Sequence, residues 1–493
     1  MFDEDALYIL NPKYKLFNDK NRILLISNTD NGAEFTFLHP VHALLLSYFT
    51  GNKPYGPLSR EIEDELGIDP QSLQHTLSSF IETKEQVNIK YDNTYFTFPR
   101  RLIIHNRKKE VRNDLNKEDY LINPPYDFST LRLNTPRSIL FVINTNCYTH
   151  CTYCYADRKT KYTPLSTERI LSIIEEARTL GVNIFDISGG EFLLHPDWEI
   201  IIKKLHECGY RPFLSTKVPL SEKTIDKLIE TGVKKIQVSL DSLDVSLQSK
   251  NIGCNDSYVP QIIKSIGILN KKNMEIHIKS TFTRESCTIP NLTQLLDFVN
   301  SQEHIKSYSF TAIGFSHYLP RDHFRSIKPS LKQLREAQDF IKKYRRKNLI
   351  VDWDFRGVHY KNEYKNQAEF NGRNLCTGNI TSFVLLPDGQ VTICEELYWN
   401  KNFIIGNLAH QSIEEVWNSP KALSLFHLKK EAITPQSACK TCLDFEKCRH
   451  KLGVCWKNVL AYHGEDKWDY PDPTCPRSPI LNESIDYLAY EEV

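Results

Sequence analysis

The stretch SILFVINTNCYTHCTYCYAD, residues 138–157, runs from an apolar strand pattern directly into three cysteines, Cys147, Cys151 and Cys154. Thiolates are soft ligands, suited to zinc or to iron–sulfur clusters. A structural zinc site closes its shell with four ligands. His150 is near in sequence, but it lies inside the loop, between two of the cysteines. A four-iron cluster held by three thiolates keeps one iron free for a small molecule. The spacing favours iron–sulfur over zinc, and the question becomes what surrounds the loop.

Downstream, helical and strand patterns alternate. TERILSIIEEARTLG precedes NIFDIS, PDWEIIIKKLHECG precedes RPFLST, and SEKTIDKLIETG precedes KKIQVSL. YVPQIIKSIGILNKKN then precedes EIHIKSTF, and NLTQLLDFVNSQE precedes SYSFTAIG. Such alternation predicts an α/β fold, a parallel sheet covered by helices. Functional groups in these folds collect at the C-terminal strand ends. The cysteines follow the first strand, at such an end.

Cys147-x3-Cys151-x2-Cys154, with Tyr153 before the last cysteine, resembles the signature of the radical S-adenosylmethionine (radical SAM) superfamily. The resemblance implies a partial (β/α)6 TIM barrel. It also implies a 4Fe–4S cluster on the three cysteines, with S-adenosylmethionine chelated at the free iron. In that family one electron from the cluster cleaves the cofactor, and the 5′-deoxyadenosyl radical abstracts hydrogen from the substrate. Gly189-Gly190-Glu191, ending the second strand in ISGGEFLLHPD, resembles the element that binds the cofactor's amino group. Glycines let backbone approach a ligand closely, and a carboxylate suits an ammonium. QVSLDS (237–242) resembles a further segment, which places Ser239 and Asp241 at the cofactor. Two positions depart from the pattern. Ile252 stands where an arginine often holds the cofactor carboxylate, with Lys250 as the nearest substitute. Thr216-Lys217-Val218 stands where Thr-Asn-Gly is frequent.

The tail is dense in cysteine. Cys376-x12-Gly389-x4-Cys394 comes first, then Cys439-x2-Cys442-x5-Cys448-x6-Cys455, then Cys475-Pro476. A zinc ribbon is the competing reading of Cys439-x2-Cys442. The set resembles the SPASM domain of peptide- and protein-modifying radical enzymes, which holds two auxiliary 4Fe–4S clusters. The resemblance assigns Cys439, Cys442, Cys448 and Cys475 to one cluster and Cys376, Cys394 and Cys455 to the other. Its usual gap before the sixth cysteine is three residues, whereas six, RHKLGV, stand here. Some relatives add an eighth cysteine, and TGNITS (377–382) has none. The inner auxiliary cluster is therefore expected to keep an open iron for a substrate thiolate. Glu395 stands where sulfatase-maturing relatives carry a basic carboxylate, which marks it as a catalytic candidate.

The first hundred residues read as a small α+β unit. RILLIS and EFTFL flank the turn NTDNG (28–32); PVHALLLSYF, PLSREIEDELG and DPQSLQHTLSSFIETK are helical; VNIKYDNTYFTF turns at Asp92-Asn93. Three helices and a wing give a winged-helix outline. A nucleic-acid reader would carry a basic field, but 62 Lys and Arg against 61 Asp and Glu leave a net charge of +1. The basic run KKYRRKN (342–348) reads as a solvated helix end. Ahead of a SPASM-type enzyme, the unit resembles the RiPP recognition element. Such modules bind the leader of a ribosomally synthesised precursor peptide by adding a strand to a sheet edge.

The expected organisation is 1–100 recognition element, 101–136 linker, 137–328 radical SAM barrel, 329–370 bridging helix region and 371–493 SPASM domain. An acidic N-terminus and short apolar runs predict a soluble cytoplasmic chain, with neither membrane nor nucleic acid as partner. The resemblance implies a peptide-modifying enzyme, with a thioether from a substrate cysteine as the first reading. A carbon–carbon or other crosslink or oxidation, with the auxiliary clusters as electron carriers, is the rival. A leader-binding pseudoenzyme is the reading from another class. The implied partners are the precursor peptide and an electron donor such as a flavodoxin or ferredoxin.

Overall fold

The computed structural model describes residues 2–29, 32–81, 87–91, 94–99, 101–107, 113–157, 160–344, 350–354, 364–374 and 376–479. The expected turn residues Asp30, Asn31, Asp92 and Asn93, and residues 345–348 of the basic run, lie outside them. The chain divides into two compact units, Met1–Asn134 and Thr135–Val493. Among the described residues no helix is long and apolar enough to cross a membrane.

The first unit runs β1 (Leu7–Leu10), β2 (Tyr14–Asn18), β3 (Ile23–Thr29), β4 (Gly32–Leu38), α1 (Pro40–Ser47), β5 (Thr50–Pro54), α2 (Tyr55–Leu66), α3 (Pro70–Ile81), β6 (Val87–Tyr91), β7 (Thr94–Phe98) and β8 (Ile103–His105). Strands β2, β3 and β4 form an antiparallel sheet, β6 and β7 a hairpin, and β5–β1–β8 a second small sheet. Leu73, Leu77 and Phe80 bury one stripe of α3 at helical spacing. Asp69 caps that helix, its carboxylate accepting from the Ser72 amide at 2.9 Å.

Residues 101–136, expected as a linker, are largely built into this unit. β8 pairs antiparallel with β1. Arg22, 1% exposed, pairs with Asp19 at 2.7 Å and donates to the carbonyls of Asp127, Thr130 and Arg132. A buried guanidinium needs acceptors for its five N–H groups. Irregular backbone supplies them as carbonyls, which no side-chain pattern reveals. Arg22→Met removes the buried ion pair to Asp19 together with the bonds to three carbonyls, at a cost of about 3–5 kcal/mol. Hydrogen exchange should therefore speed up across residues 2–134 and stay unchanged beyond them. Equal protection in the variant would show that the clamp holds nothing.

The second unit continues with β9 (Ser138–Val142), α4 (Thr167–Thr179), β10 (Ile184–Ser188), α5 (Trp198–Glu207), β11 (Ser215–Thr216), α6 (Glu222–Glu230), β12 (Lys235–Ser239), α7 (Val245–Ile252), α8 (Tyr258–Lys271), β13 (Glu275–Phe282), α9 (Ile289–Ser301) and β14 (Ile305–Ala312). Then come α10 (Arg321–Ile327), α11 (Leu331–Lys343), β15 (Ile350–Asp354), α12 (Gln367–Phe370), β16 (Ser382–Leu385), β17 (Gln390–Thr392), β18 (Ile404–Asn407), α13 (Ile413–Trp417), α14 (Pro420–Phe426) and α15 (Trp456–His463). β11 to β15 form one parallel sheet. The other sheet has the order β10–β9–β16–β17–β18. β9 runs parallel to both β10 and β16, so strands of the cysteine-rich tail extend the sheet that holds the first strand of this unit.

Among the described residues the two sheets are not hydrogen-bonded to each other between β10 and β11. RPFLST yields only the two residues of β11. Pro212 has no N–H to give a ladder. Instead the Asp186 carboxylate of β10 accepts from the Phe213 amide at 3.0 Å, so a side chain spans the break. Burial alternates strictly along β13. Ile276, Ile278, Ser280 and Phe282 are buried, while Lys279 and Thr281 turn to the cavity at the strand ends. That alternation puts polar groups where the cysteine loop arrives.

Candidate active site

A cavity of about 640 Å³ lies at the C-terminal ends of the strands, walled by Cys147, Cys151 and Cys154 together with Gly189, Gly190 and Glu191. Tyr153 and Ser239 also reach it. The cysteine loop has no secondary structure of its own and is held from outside. The His150 amide donates to the Ile252 carbonyl at 2.7 Å and the Thr152 amide to the Asn251 carbonyl at 2.9 Å. Both acceptors end α7, a helix that the sequence reading passed over. His150 itself is exposed and absent from the cavity wall, so it does not complete a zinc shell there.

The two glycines are stitched to this loop. The amides of Gly190 and Glu191 donate to the carbonyls of Asn144 and Asn146 at 2.8 and 2.6 Å. Asn144 returns a side-chain bond to the Glu191 carbonyl at 2.9 Å. A Cβ on Gly190 would stand 2.0 Å from the Asn146 oxygen, and Gly189 has a φ of +130°. Only glycine fits at this approach.

Glu191 is 4% exposed, and burial pushes its carboxyl up to about 7. Its carboxylate accepts from the Thr216 hydroxyl at 2.9 Å and the Lys217 amide at 3.1 Å. A second carboxylate, Asp241, is fully buried behind Tyr153 and off the cavity wall. It accepts from the Tyr153 hydroxyl and from the Thr281 amide at 2.7 Å. Lys217 completes the group, its Nζ lying 3.1 Å from the Tyr153 oxygen and 3.4 Å from Asp241. Burial works against the Lys217 ammonium, but Asp241 and Cys151 outweigh it and hold its pKa above the usual lysine value.

Lys250 does not join this site. Its exposed ammonium pairs with Glu285 at 2.6 Å, away from the cavity wall. The residue sits on the solvent side of α7, while Ile252 is fully buried. Three lysines line the cavity, Lys217, Lys279 and Lys457. Of these, Lys217 is bonded to Tyr153 of the cysteine loop, and it is one of the two positions where the motif departs from the familiar pattern.

Across the cavity stand Glu395, Glu396 and Lys457. Tyr155 donates to Glu395 at 3.3 Å, and Glu396 is ion-paired to Lys457. Burial raises the pKa of both carboxyls. The tail cysteines fall into two groups. Cys439, Cys442, Cys448 and Cys475 line one small cavity. Cys376 and Cys394 both act electrostatically on Cys455. Asp472, 6% exposed, stands between the two groups: it lines the cavity of the first and accepts from the Cys455 amide of the second at 3.2 Å. Burial pushes the Cys394 thiol up to about 12 and the Cys475 thiol up to about 11. Thiols gathered away from water become thiolates cheaply only beside compensating positive charge. Among the described residues no three His, Cys, Asp or Glu side chains close on a single ion. The sulfur-rich donor sets suit iron–sulfur clusters.

Comparison with known families matches residues 141–284 to the Radical SAM superfamily and residues 376–443 to SPASM, an iron–sulfur cluster-binding domain. The chain carries a radical SAM domain and a SPASM domain. It is an enzyme, and its radical SAM domain binds a 4Fe–4S cluster and S-adenosylmethionine. Its SPASM domain binds auxiliary iron–sulfur clusters. A PqqA peptide cyclase from Granulibacter bethesdensis is 21% identical over 366 residues, covering 72% of this chain and 91% of that protein. A probable GTP 3′,8-cyclase from Methanococcus maripaludis is 28% identical over 44% of this chain and 73% of its own length. Among solved structures, Streptococcus suis SuiB bound to S-adenosylmethionine superposes with a TM-score of 0.63 at 18% identity, covering 95% of this chain and all of that one. SuiB bound to precursor peptide SuiA aligns at a TM-score of 0.62, 17% identity and 95% of this chain, again over all of that chain. The fold is similar to that of SuiB.

Proposed function

We propose that this protein modifies a ribosomally synthesised precursor peptide by radical chemistry. One observation carries the reading. The three cysteines of the radical SAM loop and the Glu395–Glu396–Lys457 group beyond the SPASM cysteines line the same open cavity. A substrate at the cluster is therefore also in reach of carboxylates. The likeness to a peptide cyclase and to the fold of a peptide-bound enzyme supports a peptide as that substrate. The first unit, with three helices followed by the β6–β7 hairpin, supports a winged-helix, leader-binding role. A leader strand would add to an outer strand of its β2–β3–β4 sheet.

S-adenosylmethionine on the cluster supplies a hydrogen-abstracting radical. The chain's own residues position it. Glu191 takes the amino end, Lys217 the carboxylate, and Tyr153 and Ser239 form the neighbouring wall. Glu395 is placed to accept a proton from the substrate. Two auxiliary 4Fe–4S clusters fit the two tail sets. The bond made is a thioether if the inner set offers its open iron to a substrate thiolate. Asp472 favours the other reading, because a buried carboxylate already stands at that set. The inner cluster then carries electrons only, and the crosslink needs no substrate thiol.

The test is anaerobic turnover with a short peptide encoded beside the gene, an electron donor and S-adenosylmethionine. The product should be lighter by two hydrogens per crosslink, and leaderless peptide should stay unmodified. Cofactor cleavage without any peptide mass change, across every neighbouring candidate, would sink the peptide reading. Replacing each substrate cysteine in turn separates the two bond types.

A further inference from the structure

Two arginines face the sulfurs of the outer cysteine set. Arg449 Nη2 lies 3.5 Å from Cys439 Sγ, and Arg373 Nη2 lies 3.2 Å from Cys448 Sγ. Arg449 is 4% exposed. Its Nη2 also donates to the carbonyls of Asp469 and Tyr470, and its guanidinium lies 5.2 Å from the centre of the Trp456 ring. Among the described residues its buried Nε and Nη1 have no hydrogen-bond partner. Among the described residues no carboxylate forms an ion pair with it. A buried guanidinium with idle donors is costly unless an anion belongs beside it.

The cavity that Arg449 lines is the one walled by Cys439, Cys442, Cys448 and Cys475. A four-iron cluster on four thiolates is anionic, and it gains a further negative charge on reduction. The arginines therefore favour its reduced form, since net charge and hydrogen bonds to sulfur set such potentials. The inner set has more carboxylate around it. Glu396 and Glu395 act on Cys394, whereas Asp472 acts on the inner Cys455 and the outer Cys475 alike, and Arg373 also reaches Cys376. The unusual six-residue gap after Cys448 has a structural counterpart. Residues Lys447–Leu452 form a π-helical turn that carries Arg449. Such turns are common at functional sites.

We propose that Arg449, assisted by Arg373, tunes the outer auxiliary cluster so that it is the more easily reduced of the two auxiliary clusters. The proposal rests on the tail binding two auxiliary clusters. Electron paramagnetic resonance followed against applied potential, on the reconstituted full chain, tests it. In Arg449→Met the outer cluster's midpoint should fall by at least the equivalent of a tenfold change in its reduced-to-oxidised ratio, about 59 mV for one electron. Arg449→Lys should recover part of that shift, and the radical SAM cluster should not move. An unchanged midpoint with full iron content overturns the proposal. If Arg449→Met loses outer iron, the same measurement on the more exposed Arg373→Met decides, with a smaller fall expected and no fall overturning it. Wild-type iron sufficient only for the radical SAM cluster would instead refute the two-cluster reading beneath it.

Discussion

Gly190→Ala removes cofactor cleavage while leaving the protein folded. The new methyl would stand 2.0 Å from the Asn146 carbonyl oxygen and 2.6 Å from its carbon, so the cysteine loop must move. The displaced atoms belong to the residue before Cys147, and the loop's bonds to the Gly190 and Glu191 amides are lost with them. Overpacking of this kind costs about 1–3 kcal/mol, which a chain of this size survives. Catalytic geometry is less forgiving, since a shift of about 1 Å can cost about 100-fold in rate. The expected result is a fall of at least about 100-fold in 5′-deoxyadenosine formation, with iron lost from the radical SAM loop and retained in the tail. Circular dichroism should be unchanged. Full iron in all sites and turnover within threefold of wild type would show that the loop can slide without consequence.

Lys217→Met weakens cofactor binding. Of the three lysines that line the cavity, Lys217, Lys279 and Lys457, Lys217 is the one bonded to Tyr153 of the cysteine loop and to Glu191 through its amide, while Lys457 is paired with Glu396 and Lys250 points to solvent. Its ammonium has three donors, and Tyr153 and Asp241 engage two. Among the described residues the third has no partner and is available to a carboxylate. A charge-assisted hydrogen bond contributes about 1.5–3 kcal/mol, so the Kd for S-adenosylmethionine should rise roughly 10- to 100-fold. Decarboxylated S-adenosylmethionine separates this role from a structural one. The variant and the wild type should bind that analogue within a factor of about three, because the lost partner is absent from both. An equal penalty for both ligands would mean that Lys217 merely neutralises Asp241.

Local spacing made much of the site legible. The cysteine triplet, Gly189-Gly190-Glu191 and Ser239 were visible because each is a short run at the end of a strand with clear alternation. The helices α4 to α6 and the strands β12 to β14 were visible for the same reason, their apolar residues recurring at the period of the element. What stayed hidden was short or irregular. β11 dwindles to two residues beside Pro212. α7 is short and buries Gln248 and Asn251 beside Ile252, so its apolar stripe is faint. Residues 113–134 join the first unit through backbone carbonyls around Arg22, and carbonyls carry no sequence signal.

The sequence by itself determined the ligand type and the class of sheet. Ten cysteines at their spacings and a strand–helix alternation favour sulfur-bound iron on a parallel sheet, because ligand type and element period are properties of neighbouring residues; the cofactor at the Gly-Gly-Glu turn is what the family resemblance implies. Tertiary structure alone decided which charges meet the sulfur and the cofactor. It put Lys217 on the cavity wall and Lys250 against Glu285, set Asp472 beside Cys455, and turned Arg449 onto Cys439. Those partners lie on different elements, and only packing fixes which side of a helix or strand end faces inward.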